Sequence, residues 1–137
     1  MTISAAIAQW LALYKNAEID TNHVAEGSDK FGLYKSPNRE TRGYSDGSYL
    51  ITEHYQLLVR QSSVSELDRK DSDEFLENLI YWADDYEFKY QYPELDKGRK
   101  IIRIEASGSP YPINTAAADT LYQILLRVEY TREREEL

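Results

Sequence analysis

The side chains best suited to catalysis are few, and their spacing does not assemble a familiar active site. His23 and His54 stand far apart in the sequence, and neither has a serine and a carboxylate at a spacing that predicts a catalytic triad. We therefore interpret His54 as an ordinary surface or edge residue of a strand. The chain has no Cys, which excludes a disulfide framework, a thiolate metal site and a cysteine nucleophile.

The densest group of potential metal ligands is acidic and comprises Asp68, Asp71, Asp73 and Glu74. Carboxylate oxygens are the ligands that Mg²⁺ and Ca²⁺ prefer. The spacing lacks the glycine and the closing glutamate of a calcium-binding loop. The same residues suit the start of a helix, where acidic side chains cap the chain and face the positive end of the dipole. We expect a helix cap here and no metal site or cofactor.

One segment has a partial likeness to the core of metal-dependent nucleases. Glu94 and Asp96 precede a predicted strand that ends near Glu105. A nuclease of this type needs a lysine two residues after the last carboxylate, where it supports the nucleophile and the charged transition state. Ser107 occupies that position. The sequence therefore predicts that the protein is not an enzyme.

A basic segment, residues 35–44, has the composition of an interaction surface. Its basic side chains are Lys35, Arg39 and Arg42, and it ends at Tyr44. Arginine and tyrosine are enriched at protein interfaces. Two interpretations remain open, namely a solvated hairpin and a contact between subunits.

The acidic pair Asp84-Asp85 leaves a similar choice open. It lies near the end of a predicted helix, where negative charge is unfavourable to the helix dipole. A solvated face explains the pair, and so does a contact with a basic partner. The candidate subunit-interface residues are thus Arg39, Arg42, Tyr44, Asp84 and Asp85.

Length and composition predict one globular domain over residues 1–137, with a charged tail at 132–137 that is frayed or helical. The 24 acidic residues outnumber the 16 basic ones and give a net charge of −8. Such a surface disfavours general binding to nucleic acid, and no apolar run is long enough to span a membrane. The 12 Tyr fit either sheet packing or an interface.

Two segments have the periodicity of amphipathic helices. The first covers residues 3–15, with Thr2 as its N-cap and Asn16 at its exit. The second begins with Asp71-Ser72-Asp73-Glu74 and ends by about Gln91. Their core stripes are Ile3, Ile7, Trp10 and Tyr14 in the first and Phe75, Leu79, Trp82 and Tyr86 in the second.

Alternating hydrophobicity predicts strands at residues 49–60, 100–106 and 119–131, with weaker short strands between 18 and 34, broken around residues 26–28. Asp46-Gly47 predicts a tight hairpin turn. Glu53 is the exception on an otherwise apolar strand face. On the strand 100–106 we expect Ile102, Ile104 and Ala106 to share one face and Ile101 to lie on the other.

The order α-β-β-β-α-β-β predicts an α+β fold, a mostly antiparallel sheet with two helices packed on one face. The expected core comprises Ile7, Trp10, Tyr55, Leu57, Leu79, Trp82, Ile124, Leu126 and Val128.

The order of these landmarks resembles the minor capsid proteins of long-tailed bacteriophages, of the tail-terminator and head-tail joining type. The resemblance covers nearly the whole chain, with one departure: Gln56-Leu57 replaces the family's usual Pro-Phe. The matching landmarks are Asp46-Gly47-Ser48, the strand Tyr55–Arg60, the helix with Trp82, Pro93-Glu94-Leu95 with Gly98 before Ile102-Arg103-Ile104, and the strand from Tyr122-Gln123-Ile124 to Tyr130.

The resemblance implies a structural virion protein with a tail-terminator-like fold. Such proteins form a ring, typically a hexamer, that closes the tail tube and joins it to the head. The implied partners are other copies of the chain, the major tail protein and the head-closure or connector protein, with DNA only as passing cargo. The implied location is the neck or tail of the virion, after synthesis in the cytoplasm of the bacterial host. An acidic ring would suit a DNA conduit, because repulsive walls let DNA slide.

The alternative is a small acidic adaptor or inhibitor protein that binds one basic protein partner. In that case the negative surface would steer the association.

Overall fold

The computed structural model describes residues 1–14, 18–24, 30–62, 65–108, 110–115 and 119–134, which form two helices and six strands. The helices are α1 (Ile3–Leu11) and α2 (Glu66–Lys89). The strands are β1 (Ile19–Thr21), β2 (Lys30–Gly43), β3 (Tyr49–Ser62), β4 (Arg99–Ala106), β5 (Tyr111–Thr115) and β6 (Asp119–Arg132).

The strands form one sheet in the order β1-β2-β3-β6-β4. Strand β1 is parallel to β2, and all other pairings are antiparallel. Strand β3 pairs with the whole length of β6, while β4 and β5 pair with successive parts of its other edge. The predicted α+β class with a mostly antiparallel sheet is confirmed.

The core lies between the two helices and one face of this sheet. Trp10 of α1 is fully buried. It stacks on Trp82 at a ring-centroid distance of 4.8 Å and meets Tyr86 edge-on at 5.5 Å. Both partners belong to α2, so the helices meet on the same face of the sheet, as expected. The predicted core residues are buried except Trp82, which is partly buried beside them.

The end of α1 and the start of α2 differ from the prediction. Helix α1 ends at Leu11, because the next turn tightens to bonds from Leu13 N to Trp10 O and from Tyr14 N to Leu11 O. Helix α2 begins at Glu66, earlier than expected. Its N-cap is Ser65, whose Oγ accepts a hydrogen bond from Asp68 N at 3.1 Å. The expected cap at Asp71 is therefore wrong, and that residue is exposed on the helix.

The residues on each face of β4 differ from the prediction, because this strand contains a β-bulge. The register against β6 shifts between Ile101 and Arg103. Because the bulge inserts an extra residue, Ile101 and Ile104 both point into the core, with 4% and 1% of their surface exposed. Ile102 is 42% exposed. The expectation that Ile102 shares the core face with Ile104 is wrong.

Two stretches outside the predicted strands also form strands. Strand β2 continues through residues 35–43 and pairs with β3 to Gly43, with an irregularity between Lys35 and Arg39 that accommodates Pro37. Strand β5 carries Pro112 and pairs with β6. Of the predicted charged tail, Arg132 and Arg134 lie over the ring of Tyr49 at 5.1 Å.

Three predicted features fall where the structure gives no description. These are the break around residues 26–28, the helix exit at Asn16 and the last residues of the tail, 135–137.

Candidate subunit interface

The candidate residues Arg39 and Arg42 lie on the outer part of β2, at one edge of the sheet. Strand β1 pairs with β2 only from Phe31 to Leu33. Among the described residues, none pairs with the outer edge of β2 beyond that point. Arg39 and Arg42 are exposed. This part of β2 is therefore an open strand edge with two basic side chains.

The turn after this edge is closed by hydrogen bonds and carries the third candidate, Tyr44. Tyr44 N donates to Ser48 O at 2.9 Å, and Gly47 N donates to Tyr44 O at 3.1 Å. Gly47 has a φ of 90°, which glycine adopts without steric cost. Asp46 Oδ1 accepts hydrogen bonds from Ser48 N and Oγ, and these bonds lower the pKa of Asp46. The predicted Asp46-Gly47 turn is confirmed.

A buried carboxylate lies just inside the same edge. Glu53 lies on the core-facing side of β3 and is only 1% exposed, although its side chain is charged. Lys35 Nζ lies 2.7 Å from Glu53 Oε2, and the Tyr55 hydroxyl donates to Oε1 at 3.3 Å. Each of these donors compensates for water that the carboxylate loses on burial. Through this ion pair, Glu53 of β3 links its strand to Lys35 of β2.

The tyrosines around Glu53 favour their protonated form. Burial is the main cause that raises the pKa of Tyr55, and the charge of Glu53 raises it further. Burial and then Glu53 also raise the pKa of Tyr130, while nearby Arg39 opposes that rise. A carboxylate held by an ammonium group and by protonated phenols is satisfied, which makes Glu53 a structural anchor.

A cleft of about 490 Å³ opens beside this anchor. Its walls include Ser4 of α1, Asn22, Lys35 and Arg99. Arg99 is already engaged, because its Nη2 lies 2.7 Å from Asp96 Oδ1. The cleft therefore presents mostly groups that already have partners.

On the opposite side of the sheet, where β4 and β5 form the edge, side chains cover one end of β4. Asp84 Oδ1 accepts a hydrogen bond from Ala106 N at 2.9 Å. The Tyr92 hydroxyl accepts one from Ile104 N at 3.1 Å. Backbone groups that would otherwise be free for another strand are occupied at this end of β4. Asp84 therefore has a structural role, which the sequence alone did not indicate.

A ladder of alternating charges runs across β4 and β6 and includes Glu87 of α2. Arg103 contacts Glu87 at 3.1 Å and Glu105 at 3.0 Å. Arg127 contacts Glu105 at 3.2 Å and Glu129 at 3.0 Å. Each pair is partly exposed and contributes little by itself. Together they pair the charges near the β4 edge, whereas Arg42 at the β2 edge forms no ion pair with another described residue.

The five candidate residues thus separate into two groups within one chain. Arg39, Arg42 and Tyr44 belong to the β2 edge and its turn, while Asp84 and Asp85 lie on α2, where Asp84 bonds to the β4 edge. Strands β3 and β6 separate these two edges. Asp85 is exposed and is the acidic candidate that remains accessible.

The other residues considered for chemistry do not converge. His54 is half-buried on β3 and His23 is exposed. Asp96 pairs with Arg99 and with the terminal amino group, and these contacts lower its pKa. Within the described ranges, no three His, Asp or Glu side chains are arranged to hold a metal ion.

No family model and no curated protein matches the chain. Among the described helices, none is long and apolar enough to cross a membrane.

Proposed function

We propose that the protein is a structural subunit of the bacteriophage neck, where a ring of copies terminates the tail tube and joins it to the head. The observation that carries the proposal is the placement of exposed Arg42 on the open β2 edge and exposed Asp85 on helix α2, whose Asp84 bonds to β4 on the other side of the sheet. A ring needs heterologous contacts, in which one patch meets a different patch on the next subunit. A basic strand edge and an acidic helix position on separate parts of the surface suit such a contact.

The proposal also rests on the resemblance, whose landmark residues lie in one sheet and the turn that joins two of its strands. The landmark Asp46-Gly47 forms the turn between β2 and β3. The landmark strands are β3, β4 and β6, which are neighbours in the sheet. The family-like sequence features therefore belong to a single scaffold. Its partners in the proposed role are other copies, the major tail protein and the head-closure protein, with DNA passing through the ring.

A charge exchange tests the proposed ring contact. We expect Arg42→Glu to prevent ring closure and Asp85→Lys to do the same, because each leaves like charges facing across the contact. The combination of both substitutions restores opposite charges and should restore the ring. Electron micrographs of lysates provide the measurement, with unjoined heads and tails of irregular length in the single variants. Normal virions after deletion of the whole gene would disprove the neck role.

The acidic adaptor remains a second candidate because α2 exposes a group of carboxylates. Asp71, Asp73 and Glu74 are all exposed in the first half of the helix. They would steer a basic protein toward this surface. Antibody labelling of purified virions separates the two functions. A label at the neck supports the ring subunit, whereas its absence from virions, together with a stable complex with a basic protein, supports the adaptor.

A further inference from the structure

The open edge of β2 presents backbone groups in a fixed alternation. Tyr44 N donates a hydrogen bond to Ser48 O. The residues two and four positions before it, Arg42 and Glu40, therefore direct their backbone hydrogen bonds toward β3. In an antiparallel pair the bonded residues alternate along the strand. Arg39, Thr41 and Gly43 therefore direct their N–H and C=O groups away from β3. Another strand can bond to these groups.

The side chains between these positions have complementary charges in a symmetric order. Glu40 and Arg42 flank Thr41, point to the same face of the sheet and are both exposed. Neither makes an ion pair with another described residue. An antiparallel copy of this strand, with Thr41 opposite Thr41, places Glu40 opposite Arg42 of the partner subunit in both directions.

The hydrogen bonding fits the same register. Thr41 would face its own counterpart, and Arg39 would face Gly43, as hydrogen-bonded pairs formed by the outward-directed groups. Glu40 and Arg42 would then form the intervening pairs without backbone bonds. Side chains lie closer in such pairs, with Cα atoms about 4.5 Å apart. Charge order and backbone alternation thus select one register.

The β4 part of the opposite edge is a poor strand partner for β2. Asp84 and Tyr92 already occupy backbone N–H groups of β4 at Ala106 and Ile104. Continuation of the sheet from β2 of one copy to β4 of the next is therefore blocked at this end. The irregularity at Pro37 also limits the pairing to the part of β2 from Arg39 onward. The β2 edge of a second copy has free backbone groups from Arg39 onward, so it fits as the strand partner.

We propose that the free protein associates as a symmetric dimer through two β2 edges, with Thr41 on the twofold axis. This inference rests on the edge itself and does not depend on the proposed neck function. The contact is short, so the association is weak and depends on concentration. Because Arg42 serves both contacts, the dimer would open before this edge meets Asp85 in a ring.

Paired charge reversals test the register. In a dimer of the Glu40→Arg variant, two positive side chains would face each other at each pair across the axis. In a dimer of the Arg42→Glu variant, two negative side chains would face each other there. Each variant alone should be monomeric at concentrations where the natural chain is dimeric, with a dissociation constant raised at least about tenfold. In a heterodimer of the two variants, an arginine lies opposite a glutamate at both pairs. A mixture of the variants should therefore form heterodimers. Sedimentation equilibrium and native mass spectrometry measure both results.

Two controls separate this pairing from other causes. Lys100→Glu changes the net charge as Arg42→Glu does, but Lys100 is exposed on the opposite edge, so this variant should dimerise normally. Thr41→Pro removes an outward N–H, which an edge strand tolerates, and should abolish the dimer with unchanged circular dichroism. A natural chain that stays monomeric up to millimolar concentration, or single variants that dimerise as well as it does, would overturn the proposal.

Discussion

At the scale of single residues, Glu53 shows how an exception in a sequence pattern marks a structural feature. It interrupts the apolar face of β3, and the structure buries it with Lys35 and Tyr55 as donors. The sequence located the exception but not its partners. Lys35 comes from β2, and neither periodicity nor spacing places that side chain beside β3.

We expect Lys35→Met to lower the free energy of unfolding by about 1–2 kcal/mol, because a buried carboxylate then loses its cation. The estimate is at the low end for a buried pair because the Lys35 side chain is half exposed. The added substitution Glu53→Gln should recover part of the loss. Urea denaturation measures each variant, and Lys100→Met, at an exposed lysine, is the control. Equal stability of Lys35→Met and the natural chain would show that the pair contributes nothing.

The buried tyrosines lead to a prediction at alkaline pH. Burial raises the pKa of Tyr55 and Tyr130 above the ordinary value of about 10. The folded state therefore binds these protons more tightly than the unfolded state. Their contribution to stability is complete below about pH 10 and decreases as the pH rises toward the folded-state pKa.

Ultraviolet absorbance of phenolate should show two classes of tyrosine. The later step should come from the buried Tyr55 and Tyr130, whose pKa values are raised, and should coincide with the loss of circular dichroism. Tyr55→Phe should reduce the amplitude of the later step only. A single transition near pH 10 for all tyrosines, with the fold intact, would contradict this account.

At the scale of helices and strands, the sequence was most informative where a strand lies in the middle of the sheet. Strands β3 and β6 each have an apolar face, interrupted in β3 by Glu53, and the predicted strands fall within them. Edge strands were harder to predict. Strand β2 is mostly exposed and contains Pro37, so its outer half has no apolar alternation. The bulge in β4 depends on its pairing with β6, which local sequence does not determine.

The helix cap offers a direct test of a corrected boundary. Ser65 caps α2, so Ser65→Ala should lower the free energy of unfolding by about 1 kcal/mol. Asp71 lies inside the helix and is exposed, so Asp71→Ala should change stability by less than about 0.5 kcal/mol. Thermal unfolding of the two variants makes the comparison. The reverse order of effects would restore the boundary predicted from sequence.

The register of β6 makes a second prediction at this scale. Val128 is fully buried between β3 and β4, whereas Leu125 is 41% exposed on the other face of the strand. Val128→Asp buries an unpaired carboxylate and should cost several kcal/mol, a large share of a typical stability of about 5–15 kcal/mol. Leu125→Asp is the matched control and should unfold near the natural temperature. Similar melting temperatures for both variants would mean that the register is wrong.

At the scale of the whole molecule, the sheet has two unlike edges. The β4 edge is held by Asp84, Tyr92 and neighbouring ion pairs, while part of the β2 edge is free. A pairing of β2 edge with β2 edge uses the open edge of both copies, so it closes as a dimer and does not continue into unlimited fibres. This asymmetry is compatible with an assembly subunit.

The net charge of −8 gives the last prediction, which concerns salt and divalent metals. Asp71, Asp73 and Glu74 are exposed on neighbouring turns of α2, where like charges repel. Screening should therefore raise the melting temperature as NaCl is added. No described group of carboxylates is arranged as a metal site, so MgCl₂ should act only as a screening salt.

Differential scanning calorimetry at matched ionic strength makes this comparison. We expect NaCl and MgCl₂ to raise the melting temperature by similar amounts. The variant Asp71→Asn/Asp73→Asn/Glu74→Gln should begin at a higher melting temperature and respond less to either salt, because the repulsion has been removed. If MgCl₂ stabilises the natural chain far more than NaCl does, and the triple variant loses that difference, these carboxylates bind the metal specifically. That result would reverse our interpretation of the acidic group.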